Sequence, residues 1–382
     1  MDELFDCAVI GAGPAGGSAA YHLARRGQRV LLLEKQSLPR YKPCGGGVSP
    51  AVASWFDFDW SPAISARVDT IRYTWQLGDR VDAPLDLPEP IWMVRRDVFD
   101  HYLVQQAVAR GAELRTGAAV VAVERHGGLW QIRTEQGNAY RSRTLVGADG
   151  AKGQTARWLG LERRATVIGG AIEVEIEAPV PEPHIAHFEF GLVQDGYLWN
   201  FPKQGAHSIG IGSFGRRKVD LKTPLARYVE HFGLSLDGVV QHGHPLLLWK
   251  GPSRLHVEGA VLAGEAACVV DPFTAEGIRP SLLSGCLAAE AITDALAGDP
   301  RAYERYSERL QSEWGEDLRW ADRLAAVFYR FPQIAYRVGV HRPSATRTMG
   351  KLLYGSLRYR EVVQRAIGRL IGGGATAFLE RE

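Results

Sequence analysis

The sequence predicts an α/β protein in which a Rossmann-type domain carries an inserted antiparallel β-sheet domain and is followed by a C-terminal helical region. Three observations support this prediction. An apolar strand at 6–10 runs through glycines into a helix, strict alternation of apolar and charged residues begins at 172, and a long amphipathic pattern starts at Tyr303. A period of two is typical of half-buried antiparallel strands, and a period near 3.6 is typical of helices.

The first strand leads into glycines with the spacing G-x-G-x-x-G. Gly11 permits a tight turn, Gly13 lets the backbone approach a pyrophosphate, and Gly16 lets the helix pack against the strand. The phosphates of a dinucleotide then lie at the positive end of the helix dipole. Glycines alone also fit ordinary turns, but the strand and helix on either side favour a dinucleotide site.

An acidic residue follows the second predicted strand, Val30–Leu33. This residue, Glu34, has the position in a βαβ unit at which a carboxylate accepts a hydrogen bond from a ribose 2′-hydroxyl. Because a carboxylate repels a 2′-phosphate, we expect FAD or NAD rather than NADP. A solvated charge at the end of the strand is the alternative interpretation.

Composition limits the class of protein. A chain of 382 residues holds roughly two domains, and its net charge of +2 gives no reason to expect nucleic-acid binding. The four cysteines lack the paired spacing of a disulfide framework or a metal site. We find no signal region at the N-terminus and no apolar run near the roughly 18 residues that cross a bilayer. We therefore expect a cytoplasmic protein, soluble or peripherally bound to a membrane.

A long loop from Lys35 to Pro50 contains Cys44 followed by three glycines. Residues without side chains allow a flat ligand to lie against the backbone. A flexible surface loop with an inert thiol fits the sequence equally well.

Further helix and strand patterns complete the Rossmann-type domain. We predict a helix from Arg96 to Arg110, strands at about 118–125, 129–134, 139–148 and 260–263, and a helix that ends at Leu296. Asp149 and the acid of the Gly264–Ala267 segment follow two of these strands. In such folds, ligands bind at the carboxyl ends of the strands.

The inserted segment alternates Ile or Val at 172–176 with Glu at 173–177, so we expect one buried and one solvent-exposed sheet face. Three aromatic residues of a later strand are spaced by two and share a face: Tyr197, Trp199 and Phe201. The next strand carries Gly210 and Gly212, which leave part of one face bare. This pattern predicts either an aromatic-walled cavity or a plain sheet core.

The C-terminal region begins with an amphipathic helix from Tyr303 to Phe331. Residues 334–374 then carry eight Lys or Arg against the single acid Glu361, a net charge of +7 (8 − 1). Such a segment can lie on an anionic membrane, receive an acidic electron donor or form a solvated helical cap.

Taken together, the motifs make the chain resemble the flavoproteins of the geranylgeranyl reductase family, within the group that folds like p-hydroxybenzoate hydroxylase. The resemblance spans residues 5 to about 300. It rests on the glycine fingerprint, Pro43-Cys-Gly-Gly-Gly47, the Tyr-x-Trp-x-Phe-Pro run at 197–202 and the Gly-acid-Ala-Ala to Glu-Gly-Ile segment at 264–278. The first and last mark the whole superfamily, and the middle two are much narrower.

The resemblance implies FAD as the cofactor and a discontinuous domain organisation. The FAD-binding domain is expected at 1–60, 95–165 and 255–300, the substrate domain at 61–94 and 166–254, and the helical region at 301–382. The residues expected to contact FAD are Gly11, Gly13, Ala15, Gly16, Glu34, Lys35, Cys44, Gly45, Gly47, Arg96, Val120, Asp149, Gly264, Glu265, Gly277 and Ile278. Of these, Cys44, Gly45, Gly47, Gly277 and Ile278 are expected beside the isoalloxazine ring.

Two positions depart from the family pattern. Glu265 stands where most relatives have Asp, which changes the reach of its carboxylate toward the ribityl chain. Ala275 replaces a more usual Gly, and a Cβ disfavours positive φ at that point.

The activity implied by the resemblance is reduction of isolated double bonds in a prenyl chain, carried by a diphosphate, a pigment, a lipid or a quinone. Hydride from reduced flavin adds to one alkene carbon and a proton adds to the other. An ordinary cysteine thiol is mostly protonated at neutral pH, so Cys44 is a candidate proton donor. Tyr197, Trp199 and Phe201 are expected to line the substrate channel, and the rings of Tyr197 and Trp199 can stabilise positive charge.

Other functions stay open at this point. A flavin monooxygenase or halogenase shares the superfamily, although Tyr197 and Phe201 fit the reductases better than the Trp-x-Trp-x-Ile-Pro run of halogenases. A non-catalytic lipid-binding flavoprotein is a third hypothesis, which the departures at Glu265 and Ala275 leave open. The sequence has no second dinucleotide fingerprint, so we expect an external electron donor, NADPH or a ferredoxin-like protein, that docks transiently.

Overall fold

The computed structural model describes residues 3–161, 168–215 and 219–364. Its strands are β1 (Leu4–Ile10), β2 (Val30–Leu33), β3 (Gly47–Val48), β4 (Ala66–Val68), β5 (Thr70–Trp75), β6 (Gly78–Pro84), β7 (Ile91–Met93), β8 (Glu113–Arg115), β9 (Val120–His126), β10 (Leu129–Thr134), β11 (Ala139–Gly147), β12 (Ile168–Glu177), β13 (Ile185–Phe190), β14 (Gly196–Lys203), β15 (Ala206–Ser213), β16 (His242–Leu247), β17 (His256–Val257) and β18 (Ala260–Leu262).

The α-helices are α1 (Pro14–Arg25), α2 (Arg96–Ala109), α3 (Thr155–Trp158), α4 (Lys222–His231), α5 (Ile278–Leu296), α6 (Ala302–Leu310), α7 (Glu316–Arg330), α8 (Pro332–Ala335) and α9 (Pro343–Tyr354). Short 3₁₀ turns lie at Pro50–Trp55, Ser61–Ala63 and Gly264–Ala267. Wider π turns lie at Gln311–Gly315 and Tyr336–Val340. The first π turn joins α6 to α7, so the amphipathic helix predicted from Tyr303 to Phe331 is confirmed with one irregular turn.

The first sheet has the order β17-β18-β11-β1-β2-β8, and β9 and β10 extend it from β11. Strands β18, β11, β1, β2 and β8 run parallel. Val30–Leu33 is buried along its whole length, which explains its continuous apolar sequence. The predicted Rossmann-type α/β architecture is confirmed.

Two helices of this domain approach each other closely. A Cβ on Gly285 of α5 would overlap the carbonyl oxygen of Ala15 in α1. A Cβ on Gly16 would overlap the carbonyl oxygen of Gly11, which has φ +99°. Glycine at these two positions therefore allows α1 to pack closely against both the glycine turn and α5.

The second sheet has the order β16-β12-β15-β14-β13-β5-β6. One face packs against α4, where Leu198, Ile209 and Ile211 meet Leu225 and Tyr228. The opposite face meets the C-terminal helices, since Phe190 contacts Phe328 of α7 and Tyr336 of the second π turn. A third sheet, β3-β7-β4, includes the end of the Cys44 loop, so part of the predicted loop is a strand.

One sequence expectation about this sheet is wrong. Glu173 was expected on a solvent-exposed face, but its side chain is 2% exposed, and Glu175 is also largely covered. The reason is that the Cys44 loop lies over this face. Glu177 is exposed, as expected.

No helix within the described ranges is long and apolar enough to span a membrane. Of the basic segment 334–374, residues 365–374 lie outside the described residues.

Candidate functional site

The glycine turn and α1 form one end of the site. Helix α1 has Gly13 at its N-cap, and no side chain accepts a hydrogen bond from the backbone N–H groups of its first turn. A Cβ on Gly13 would have only the Arg40 guanidinium within 4 Å. This arrangement fits a pyrophosphate, which needs free N–H donors and a close backbone.

Glu34 lies beside this turn and is almost fully buried. One carboxylate oxygen accepts a hydrogen bond from the backbone N–H of Ala12 at 2.9 Å, and the other accepts from Gln36 N–H at 3.1 Å. Arg40 bridges Glu34 at 3.5 Å and Asp100 at 3.0 Å. The predicted ribose acid therefore lies next to the predicted phosphate site, and Arg40 is a cation there that sequence reasoning missed. The residues at this end fit the adenosine and pyrophosphate half of FAD.

Arg96 begins α2 and faces the Cys44 loop. Its guanidinium makes two hydrogen bonds of 2.8 Å to Asp100, and it is close enough to the Cys44 side chain for the two groups to interact electrostatically. Arg96 thus connects the predicted dinucleotide end to the thiol loop.

The other predicted FAD contacts have varied surroundings. Asp149 accepts hydrogen bonds from the Thr155 backbone N–H at 2.9 Å and hydroxyl at 2.8 Å, so it orders the start of α3. Lys35 is exposed, and Val120 begins β9. Gly264 has φ +64°, and a Cβ there would overlap that of Ala15. Their contacts with FAD stay predictions.

A cavity of about 650 Å³ lies between the Cys44 loop, the second sheet and the C-terminal helices. Its lining is mostly apolar and aromatic. It brings together the predicted residues Cys44, Gly45, Gly47, Tyr197, Trp199, Phe201, Gly277 and Ile278. Ligand sites usually have this size and character, so of the two patterns that the sequence left open, the aromatic-walled cavity is confirmed.

The strand register explains how this wall forms. One row of cross-strand partners runs His242, Glu173, Gly210, Trp199, Phe188, Tyr73. The Trp199 indole packs directly against the backbone of Gly210, because a Cβ on Gly210 would overlap the ring. The Glu face of β12 and the aromatic face of β14 are therefore the same face. Trp199 Nε1 has no hydrogen-bond partner among the described residues.

Two buried charged residues, which sequence reasoning missed, hold the Cys44 loop. Glu173 accepts hydrogen bonds from the Cys44 backbone N–H at 2.6 Å, the Tyr41 hydroxyl at 3.0 Å and the Ser208 hydroxyl at 2.7 Å. Lys203, 1% exposed, donates to the carbonyl oxygens of Gly45 at 2.6 Å and Val94 at 2.8 Å.

The signal for Lys203 was present, because Lys203 continues the period-two spacing of Tyr197, Trp199 and Phe201. From the sequence alone, however, a lysine at the end of a strand is expected to be exposed to solvent.

Comparison with known proteins shows the family to which the chain belongs. The model of the FAD binding domain family matches residues 5–196. A menaquinone reductase from Mycolicibacterium smegmatis is 32% identical over 92% of this chain and 93% of its own. A geranylgeranyl diphosphate reductase from Rhodobacter capsulatus is 29% identical over 91% of this chain and 92% of its own. The chain belongs to the geranylgeranyl reductase family of FAD-binding flavoproteins. It is an FAD-dependent oxidoreductase.

Solved structures share the fold of this geranylgeranyl reductase family member. A geranylgeranyl bacteriochlorophyll reductase-like protein from Thermoplasma acidophilum has a TM-score of 0.77 at 22% identity, over 96% of both chains. A flavin-dependent brominase has a TM-score of 0.73 at 18% identity, over 96% of this chain and all of its own. The architecture is therefore common to reductases and halogenases, and the fold alone does not separate them.

The loop before α5 completes the expected flavin end in this family member. Gly277 is the N-cap of α5, again without a side-chain cap. Ala275 has φ +58° even though its Cβ disfavours this conformation. Hydrogen bonds of 3.0 Å from Ala275 N–H to Asp271 O and from Asp271 N–H to Glu276 O hold the loop, and these contacts offset the strain of a left-handed alanine.

Glu265 lies in a polar cluster at the edge of the cavity. Its carboxylate contacts His244 Nε2 at 3.3 Å and accepts from Leu247 N–H at 3.2 Å, and Lys42 Nζ lies 3.0 Å from His244 Nε2. Burial by itself raises the pKa of Glu265, but the contacts with His244, Lys42 and Leu247 outweigh it and lower the pKa overall. Burial lowers the pKa of Lys42 to about 8.

Lys203 predicts a measurable dependence of stability on pH. Burial lowers its pKa from 10.5 to about 8. Between these values the unfolded chain binds more protons than the folded protein, so this residue makes stability rise with pH. From about pH 7 to about pH 10, we expect wild type to gain up to about 3 kcal/mol relative to Lys203→Met. Urea denaturation at both pH values measures the difference.

The exposed residue Lys222 gives the matched control, because Lys222→Met removes a lysine charge from the surface. A Lys203→Met effect on the pH dependence no larger than that of the control would contradict a buried, ionisable Lys203.

Proposed function

We propose that this enzyme saturates isolated carbon–carbon double bonds of a prenyl chain carried by a diphosphate, a pigment, a lipid or a quinone. The observation that carries the proposal is the aromatic-lined cavity that begins at the Cys44-Gly-Gly-Gly47 loop. An isolated alkene has no polar group that could form a hydrogen bond or an ion pair with the protein. An apolar cavity of complementary shape can orient it instead. The names of the menaquinone and geranylgeranyl diphosphate reductases support this substrate class.

FAD held by the glycine turn, Glu34 and the Cys44 loop would supply hydride chemistry for one carbon of the alkene. The chain's own residues then have separate tasks. Cys44 offers a thiol at the cavity wall and donates the proton to the other carbon. The Tyr197 hydroxyl donates to Thr274 O at 2.5 Å, so it is committed to a structural bond and Tyr197 contributes its ring. The rings of Tyr197 and Trp199 stabilise the positive charge that develops on the alkene.

Glu173 and Lys203 are positioning residues in this proposal. Each binds backbone atoms of the Cys44 loop and neither needs to touch the substrate. Burial raises the pKa of Glu173, although its contacts with Ser208 and Lys203 oppose the rise. A rigid loop keeps the thiol and the bare glycine backbone at fixed positions along the cavity.

The decisive experiment is product analysis. The protein is purified with FAD, and the flavin is reduced chemically. Separate samples are incubated with geranylgeranyl diphosphate, with a geranylgeranyl lipid and with menaquinone. Mass spectrometry measures the molecular masses of the products. We expect at least one probe to gain pairs of hydrogens on its prenyl chain, as located by fragmentation, because reduction of the menaquinone ring to the quinol also adds two hydrogens. Oxygen-dependent hydroxylation or halogenation of an aromatic probe, with no gain of hydrogen on any prenyl probe, would replace the proposal with the monooxygenase or halogenase alternative.

The electron donor is part of the proposal. We propose NADPH or a ferredoxin-like protein that docks transiently, because the sequence has one dinucleotide fingerprint. Stopped-flow bleaching of the flavin by each donor distinguishes the two.

Filling the cavity tests where the prenyl chain lies. Ala171 lines the cavity, and its cross-strand partner Gly212 is in turn paired with Tyr197. In Ala171→Phe a ring occupies part of the channel, so we expect kcat/KM for a geranylgeranyl substrate to fall at least about tenfold, as expected when a pocket rejects a substrate by shape. A shorter prenyl substrate should lose less.

Ala139→Phe, at an exposed position of β11, is the control for a nonspecific effect of adding the ring. Equal losses for long and short substrates in Ala171→Phe would argue against this channel.

A further inference from the structure

Four large apolar side chains between the last turns of α7 and the second π turn are exposed. Val327 is 63% exposed, Phe331 56%, Ile334 62% and Val338 51%. They follow α7 into α8 and the second π turn, at spacings of three or four residues. We call these four residues the apolar rim. Exposed apolar groups of this kind mark binding surfaces more often than chance.

The apolar rim is continuous with the cavity. Val327 and Val338 belong both to the rim and to the cavity lining, and the exposed residues Arg342 and Ser344 line the cavity as well. The rim therefore adjoins the place where exposed residues line the cavity. A ligand that enters there passes from an apolar surface directly into an apolar interior.

Within residues 330–347, which carry most of the rim, the formal charges have one sign, and one acid from another element, Asp79 of β6, contacts this segment at His341 (3.0 Å). Between residues 330 and 347 the sequence has four arginines and no Asp or Glu. These arginines, which are all exposed, are Arg330, Arg337, Arg342 and Arg347. None of them forms an ion pair with an acidic residue in the part of the chain that the structure describes. Arg330 lies over the ring of Phe331 at 6.0 Å, so apolar and basic groups are interleaved.

We propose that the apolar rim and its four arginines dock on the surface of an anionic lipid bilayer. Apolar side chains flanked by arginines are the pattern that inserts at the boundary between headgroups and acyl chains. Anionic headgroups attract each arginine and replace the missing acidic partners. The docking itself does not depend on catalysis. Its purpose, the entry of a membrane-embedded prenyl lipid into the cavity, rests on the proposed function.

Sedimentation with lipid vesicles tests the docking without turnover. The full-length protein with its FAD is mixed with vesicles of phosphatidylcholine and with vesicles of equal parts phosphatidylcholine and phosphatidylglycerol. We expect binding to the anionic vesicles and at least about tenfold weaker binding to the neutral ones. Phe331→Ser/Ile334→Ser should weaken binding to anionic vesicles at least about tenfold, because two apolar side chains leave the interface. Arg337→Gln/Arg342→Gln should have a comparable effect that high salt reproduces.

Two variants on other surfaces control for general effects. Val240→Ser removes an apolar residue, 66% exposed, from another surface, and Arg301→Gln removes a basic side chain that is 65% exposed. Circular dichroism tests whether all variants fold.

Docking is refuted if the wild type binds neither kind of vesicle, if it binds both kinds equally, or if the rim variants and the control variants bind alike. A rim variant that binds vesicles normally but reacts poorly with an acidic electron-transfer protein would assign the surface to that protein. Loss of vesicle binding in Phe331→Ser/Ile334→Ser, neither of which lines the cavity, with unchanged reduction of a detergent-solubilised substrate would support docking and leave the proposed function intact.

Discussion

Gly46→Ala is expected to abolish most of the activity and to cost about 3 to 4 kcal/mol of folding stability. Gly46 has φ +71°, and a Cβ there would overlap both the Val94 carbonyl oxygen and the Lys203 ammonium. The substitution therefore adds a steric clash to the strain of a left-handed alanine. It also disturbs the 2.8 Å hydrogen bond from Val94 N–H to Gly46 O. Urea denaturation and steady-state turnover measure the two losses.

Gly128 supplies a matched control. Its φ is +82°, and a Cβ there would meet no atom within 4 Å. Gly128→Ala should cost only the backbone strain, about 1 to 2 kcal/mol, and leave activity unchanged. If Gly46→Ala is no more destabilising than Gly128→Ala, the packing of Lys203 and Val94 against the loop is not what requires a glycine.

Cys44→Ala is expected to lower kcat at least about 100-fold, the usual contribution of a general acid. Cys44 is partly buried at the cavity wall, and its backbone is held by Glu173 independently of its side chain. The fold, the retained FAD and KM should therefore change little. Turnover with a prenyl substrate and FAD absorbance after gel filtration measure the effect.

Cys286→Ala controls for removal of a thiol far from the cavity lining, on α5. Cys44→Ser, which keeps a weaker acid, should recover part of the rate. An unchanged kcat in Cys44→Ala would exclude the thiol as proton donor and leave it a role in shaping the flavin end of the cavity.

The dinucleotide end was predictable because its constraints are local. The turn at Gly11, the uncapped helix after Gly13 and the acid Glu34 all follow from one strand–turn–helix–strand segment. Arg40 was not predictable, because only the folded loop carries it back to Glu34 and Asp100.

The substrate cavity was predictable in part. The spacing of Tyr197, Trp199 and Phe201 places three rings on one face, and that much is local. Which neighbours share the face depends on register, and a shift of one residue would have moved every side chain to the other side. The pairing of Glu173 with Gly210, and of Gly210 with Trp199, makes the acidic face of β12 part of the cavity wall.

The sequence by itself determined the Rossmann-type domain, the glycine turn with its acid and the chemical character of the cavity wall, because each depends on spacing within one short segment. The tertiary structure alone decided that Glu173 and Lys203 are buried, that Ala275 has a positive φ and that the C-terminal helices close the cavity. The burial of Glu173 and Lys203 and the closing of the cavity depend on contacts between distant segments of the chain, and the positive φ of Ala275 depends on hydrogen bonds within its loop. The energies of these contacts override the local preferences of the residues.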